Sequence, residues 1–320
     1  MIERKTVLVL GAGASCPFDF PIGKELVKII IQNLEPNILL YNILVDHGFG
    51  KGNIRDFSNA LLGAQPASID AFLEHRLDFE KIGKEAIAGS LLPFECWSQF
   101  NSMLLAGKNN WYRYLFSRLN TSFETFGDNN LSVITFNYDR SFEHYLFTVL
   151  KNTYKKTDEE CAEKMKSIPV VHLHGSLGKL DWQDSPLSLV HYEAWTDSEN
   201  RGLAVKRGGE NIIIVHEANK ETDEFKKAHE LLSQADCVYF LGFGFNKDNV
   251  ERLKIKTLLN KSLSRGTAQG TAHGLPLQER RYIYDLQMAG NQRWNVEQGL
   301  TNGFFDLKCY DFLEKQIILE

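Results

Sequence analysis

The chain has 320 residues, 43% of them hydrophobic, which is enough for a large buried core in one domain or two. A formal net charge of -5 and a pI near 6.0 leave no broad basic field, so direct nucleic-acid binding is not expected. No stretch reaches the roughly 18 to 20 uninterrupted apolar residues of a membrane span, and the opening apolar run is too short for a signal peptide. The cysteines Cys16, Cys96, Cys161, Cys237 and Cys309 are scattered and form no Cys-x-x-Cys pair, pointing to a reducing cytoplasmic setting and no structural metal.

In chain order, Thr6-Val7-Leu8-Val9-Leu10 is a short apolar, β-branched run that ends in glycines, the pattern of a parallel strand buried on both faces. Gly23 to Asn33 has helical periodicity and stops before Pro36. From about residue 37 to 125 the pattern is helical almost throughout, with Ser68 to Glu74 offering a capped helix start, and we read this segment as a helical insertion. Strand patterns return at Leu131 to Phe136, Pro169 to Leu173, Asn211 to Val215 and Cys237 to Leu241, with helical stretches at Ser141 to Lys151 and Glu221 to Gln234 between them. Residues 251 to 320 predict a helix over Val250 to Leu263, a loop over Gly266 to Gly274, a helix over Leu277 to Met288 and a last strand near Phe304 to Tyr310. The expected fold is a single α/β domain over residues 1 to 320: a Rossmann-like, doubly wound, mostly parallel sheet with a helical insertion.

Four strand ends carry residues that could do chemistry. Gly11 and Gly13, in Gly11-Ala12-Gly13-Ala14-Ser15, suit a turn whose backbone N–H groups cradle a pyrophosphate; a tight turn with no ligand is the alternative, because Cys16 stands where the usual third glycine would be. Asn137 and Asp139, in Thr135-Phe136-Asn137-Tyr138-Asp139, could orient a water or a ribose hydroxyl, or simply cap the next helix. In His172-Leu173-His174-Gly175, His174 suits a general base, while His172 lies deeper and is read as structural. The alternating pair completes no metal site, since no further His or Cys sits at ligand spacing nearby. Gly242-Phe243-Gly244, followed by Asn246, implies either another close backbone contact with a ligand or a turn built for helix capping. The Lys151 to Lys166 basic residues are interleaved with acids and read as a solvated face.

Taken in order, these four motifs resemble the SIR2 superfamily over most of residues 5 to 250. Sirtuin deacylases have Gln-Asn-Ile-Asp where Phe136 to Asp139 stand, Gly-Thr-Ser where Gly242 to Gly244 stand, and a four-cysteine zinc module that this chain lacks. The sequence is more similar to SIR2-like proteins of bacterial antiphage defence, whose insertion contains a segment like Ser68 to Glu74. That resemblance implies hydrolysis of NAD+ to nicotinamide and ADP-ribose, homo-oligomerisation and an activating partner such as an ATPase or a sensor protein. It assigns catalysis to Asn137, His174 and Asp139, and NAD contacts to Gly11, Ala12, Gly13, Ala14, Ser15, Thr135, Phe136, Gly175, Gly242, Phe243, Gly244 and Asn246. Two alternatives stand beside it: a deacylase or ADP-ribosyltransferase using the same cleavage, and a non-catalytic NAD or ADP-ribose sensor.

Overall fold

Strands buried on both faces need an apolar layer above and below, and the chain supplies both. A computed structural model describes residues 1–96, 101, 110–119, 121–183, 185–214, 222–255, 257, 267–280, 282 and 303–319. Its sheet comprises β1 (Thr6–Leu10), β2 (Leu131–Thr135), β3 (Val170–His172), β4 (Cys237–Leu241), β5 (Thr267–Thr271) and β6 (Phe304–Phe305) in the order β3-β2-β1-β4-β5-β6. Every pairing is parallel. Leu8 and Leu10 point into one apolar cluster, Val7 and Val9 into the other, so the alternation of side chains along β1 assigns its two faces to two layers.

The Leu8 face is covered by α1 (Gly23–Asn33), α2 (Leu39–Asp46), α3 (Lys51–Ala64), α4 (Ile69–His75) and α5 (Glu80–Leu91), together with the helices Trp111–Leu119 and Ser141–Tyr154. Ser68 caps α4, its hydroxyl accepting from Ala71 N at 3.3 Å. The helix Asp223–Gln234 covers the Val7 face through Phe225, Ala228 and Leu232. The chain thus runs outward from β1 to β3, returns, and runs outward again from β4 to β6. The crevice of such a sheet opens at the carboxyl ends of the strands where the order reverses, between β1 and β4.

Register decides which residues meet there. Leu10 pairs with Thr135 on one side and with Leu241 on the other, and Thr135 pairs with His172. The four strands therefore end level, and the turns that leave them form one row.

Several elements differ from the sequence expectation. The run Asn211 to Val215 is not a strand: the helix Arg201–Asn211, lying along α5, ends there, and Ile212 makes only an isolated antiparallel bridge to Gly175. Its apolar character serves burial at that helix end, where Ile212 and Ile214 are covered; Val215 lies outside the described residues. The expected loop over Gly266 to Gly274 contains β5, a strand of small residues seated between β4 and β6. A Cβ at Gly270 would stand 2.6 Å from the Phe240 carbonyl oxygen, so the absence of a side chain is what lets the strand fit. The last strand is limited to Phe304–Phe305, and Cys309–Lys315 is a helix. The helix expected from Val250 is Lys247–Arg252 among the described residues; residues 258–263, and most of the stretch from Leu277 to Met288, lie outside them.

Replacing Gly270 by Ala should lower stability by about 1–3 kcal/mol through overpacking against β4, measured by urea denaturation.

Candidate functional site

The turn after β1 is a short 3-10 segment, Ala12–Ala14, packed directly against the turn after β4. Gly13 N donates to Gly242 O at 3.0 Å and Gly11 N to Leu241 O at 3.1 Å, while Ala14 N and Ser15 N donate back to Gly11 O and Ala12 O. Four N–H groups of the sequence-expected phosphate cradle are thus satisfied within the chain. Gly242 adopts φ +57, and a Cβ there would lie 2.0 Å from Ala14 N. The close approach that the glycines permit is therefore between the two turns. Gly244 has open space around it, and Asn246 caps the following helix by accepting from Asp248 N at 2.9 Å. Phe243 is buried, its ring 5.1 Å from that of Phe136.

Asn137, at the end of β2, is held on both sides. Its N–H donates to Thr135 Oγ1 at 3.0 Å, and its Nδ2 donates to Gly11 O and to Ser15 Oγ, each at 3.1 Å. The carbonyl of Gly11 can only accept, so the amide nitrogen must face the β1 turn and Oδ1 must face away from it. Ser15 Oγ in turn donates to Asp139 Oδ2 at 2.8 Å. The other oxygen of Asp139 accepts from Ser141 N at 3.2 Å and from the Ser141 hydroxyl. Burial pushes the Asp139 carboxyl up, with the Ser141 and Ser15 hydrogen bonds pulling the other way.

This turn is braced from behind by residues for which the sequence offered no signal. The Arg140 backbone N–H and guanidinium both bind Glu95, and Nη1 donates to Val190 O; both charged side chains are fully enclosed. Breaking such a buried pair costs about 3–5 kcal/mol, so it fixes the position of the neighbouring Asp139 firmly. Trp111 Nε1 donates to Ala14 O at 2.8 Å and supports the β1 turn.

The two histidines of β3 and its exit meet opposite surroundings. His172 Nδ1 lies 2.9 Å from the Asn137 carbonyl, to which it must donate, and Nε2 lies 2.6 Å from Glu143 Oε1. Burial opposes charge on His172, but Glu143 and the two hydrogen bonds outweigh it and raise its pKa. Glu143 is shifted down: burial works against it, and the charge and hydrogen bond of His172 prevail. His174 is 4% exposed, and its Nε2 is buried without a hydrogen-bond partner among the described residues. Burial lowers its pKa, with Asp70 acting to raise it and Arg252 to lower it, so the surroundings favour the neutral imidazole. Its ring stands 5.3 Å edge-on from Phe136 and 6.5 Å from Tyr138. Gly175 takes φ +71 beneath the Asn211 carbonyl, and Ile213 N donates to His174 O at 2.8 Å.

The level strand ends thus bring together the β1 turn, Asn137, Asp139, His174 and the β4 turn, while Gly244 and Asn246 lie at an exposed margin. A buried imidazole at the exit of β3 and an amide of fixed orientation at the end of the neighbouring β2 are groups that can, respectively, accept a proton and position a hydroxyl. Among the described residues no group of three or more His, Cys, Asp or Glu side chains could hold a metal ion, and no helix is long and apolar enough to cross a membrane.

A sequence model of the SIR2-like domain family matches residues 131–289, which include the β2, β3 and β4 turns. A search of curated proteins finds no match.

Replacing Gly242 by Ala should destabilise the fold by at least about 2 kcal/mol, whereas Gly244→Ala should change stability by less than about 0.5 kcal/mol; chemical denaturation compares them. The pH dependence has a definite sign. Because the folded pKa of His172 is raised, its contribution is full below its ordinary value of 6.5 and is lost as pH rises through the folded value. Glu143, shifted down, contributes fully above 4.5 and loses that contribution as pH falls through its folded value. The stability difference between wild type and His172→Gln should therefore be largest from pH 4.5 to 6.5 and narrow at higher pH, as read from denaturation midpoints.

Proposed function

The chain belongs to the SIR2 superfamily, and on that premise we propose that it cleaves NAD+ with water to give nicotinamide and ADP-ribose. One observation carries the reading: the Asn137 amide is locked with Oδ1 turned away from the β1 turn, on the strand neighbouring that of His174, whose buried Nε2 has no partner among the described residues. SIR2-like domains use NAD, and the residues present fit this substrate. An unpartnered buried imidazole nitrogen is the kind of group a bound ribose hydroxyl or water would satisfy.

In this mechanism Asn137 Oδ1 accepts a hydrogen bond from the attacking water or from a ribose hydroxyl and sets its direction. His174 Nε2 takes the proton that the water loses as its oxygen bonds to the anomeric carbon, and later returns it to solvent. The electron pair of the broken glycosidic bond leaves with nicotinamide, which departs uncharged, so no acid is needed on the leaving side. Asp139 acts one step back: it accepts a hydrogen bond from the Ser15 hydroxyl and so turns the serine lone pair to Asn137 Nδ2. The pyrophosphate lies against Gly11 to Ser15 by that turn's place at the crevice, where four of its N–H groups are already bonded within the chain. Because Nε2 is sealed from solvent, substrate entry requires side chains around His174 to move. Depletion of NAD in antiphage defence, self-association and control by a partner belong to the same proposal, on the resemblance of the motifs.

The test is nicotinamide release from NAD+ with identification of the second product. Asn137→Ala and His174→Ala should each lose at least about a hundredfold in turnover while keeping the wild-type circular dichroism. Wild-type turnover in either variant removes that residue from the mechanism. Tight NAD binding with no release would indicate a sensor, and label appearing on protein would indicate transfer.

A further inference from the structure

The insertion reaches the site through two carboxylates one turn apart on α4. Glu74 Oε1 lies 3.7 Å from Arg252 Nη2, on the helix Lys247–Arg252 that follows the β4 turn. Asp70 accepts the hydroxyl of Tyr138, the residue between Asn137 and Asp139. Tyr138 is itself nearly buried, its backbone carbonyl accepts from Leu177 N at 2.9 Å, and its ring neighbours the imidazole of His174. One helix from an insertion far away in sequence therefore grips both the β2 turn and the segment after β4.

From this geometry we infer that Asp70 is a positioning residue for His174: it anchors Tyr138 beside the imidazole and supplies the counter-charge when Nε2 takes up a proton. The charged groups acting on His174 come from two elements, Asp70 on α4 and Arg252 on the helix after β4, and they oppose each other. Glu74 engages the arginine, which leaves Asp70 as the favourable charge for a protonated imidazole in a site that burial otherwise makes hostile to it. The proton passes only between water and His174. The catalytic consequence rests on the NAD+ hydrolysis proposed above, whereas the pairing itself does not.

The experiment follows the His174 ring by NMR titration of the full-length chain, its signals assigned with His174→Gln, in wild type, Asp70→Asn and Asp70→Glu. Nicotinamide release is measured across the same pH range. Asp70→Asn, which can still accept the Tyr138 hydroxyl, should lower the His174 titration by about 1 pH unit, and Asp70→Glu should restore most of that loss. The acidic limb of kcat/KM should move by the same amount, with kcat lowered about tenfold. If His174 titrates alike in Asp70→Asn, Asp70→Glu and wild type, the inference is overturned, whatever the turnover. A shifted titration in a chain that releases no nicotinamide sustains the pairing, and the failure then lies with the hydrolase reading or with the missing activating partner that this reading includes.

Discussion

A line of three side chains, Asp139 to Ser15 to Asn137, joins the turn after β2 to the turn after β1, and the arrangement of the site hangs on it. Each member constrains the next because each has a single sensible role. A carboxylate can only accept, so the serine must donate to it; the serine then has a lone pair for the amide, which is held in the same sense by the Gly11 carbonyl. The line exists only because β1 and β2 end level, and they end level because the Leu10 to Thr135 register is fixed by apolar packing on both faces. Hydrophobic patterning along the strands thus becomes, a few residues later, the orientation of one amide.

The pair His172 and His174 shows how little sequence separation is needed for opposite chemistry. His172 binds a carboxylate and a backbone carbonyl, so charge on its ring is favoured despite burial. His174 has neither contact at Nε2, and burial dominates. The first histidine secures the backbone of Asn137 from below, and the second sits in surroundings that disfavour its charge. Two residues along one chain therefore meet opposite electrostatics, and the partner side chains make the difference.

Much of the fold was legible because β1, β2 and β4 are apolar on consecutive positions, a pattern that only a doubly covered strand requires. β5 escaped notice since Thr267-Ala268-Gln269-Gly270-Thr271 has no apolar run; its identity comes from the space left between Phe240 and Phe304. Asn211 to Val215 misled for the converse reason, with local branched residues whose burial is met by a helix end rather than a sheet. The four motifs at the strand ends were visible, and the structure places them in one row. Their supports were not, because Glu95 meets Arg140 across 45 positions, Asp70 meets Tyr138 across 68 and Trp111 meets Ala14 across 97. Such contacts leave no period in the sequence. The glycines of the first turn were visible as well, and the structure adds that their missing side chains make room for Gly242.

The pairing of four of that turn's N–H groups within the chain bears on the thermodynamics of occupancy. A phosphate oxygen drawn to Gly13 N or Ala14 N would have to displace Gly242 O or Gly11 O, exchanging one hydrogen bond for another with no net gain in their number. Affinity for a dinucleotide would then come from its two ends and from stacking, with the central phosphates nearly neutral in the balance. A protein so arranged would tell its ligands apart by ribose and base rather than by charge. Free inorganic phosphate and pyrophosphate would be poor competitors at the crevice, and occupancy there would depend only weakly on ionic strength.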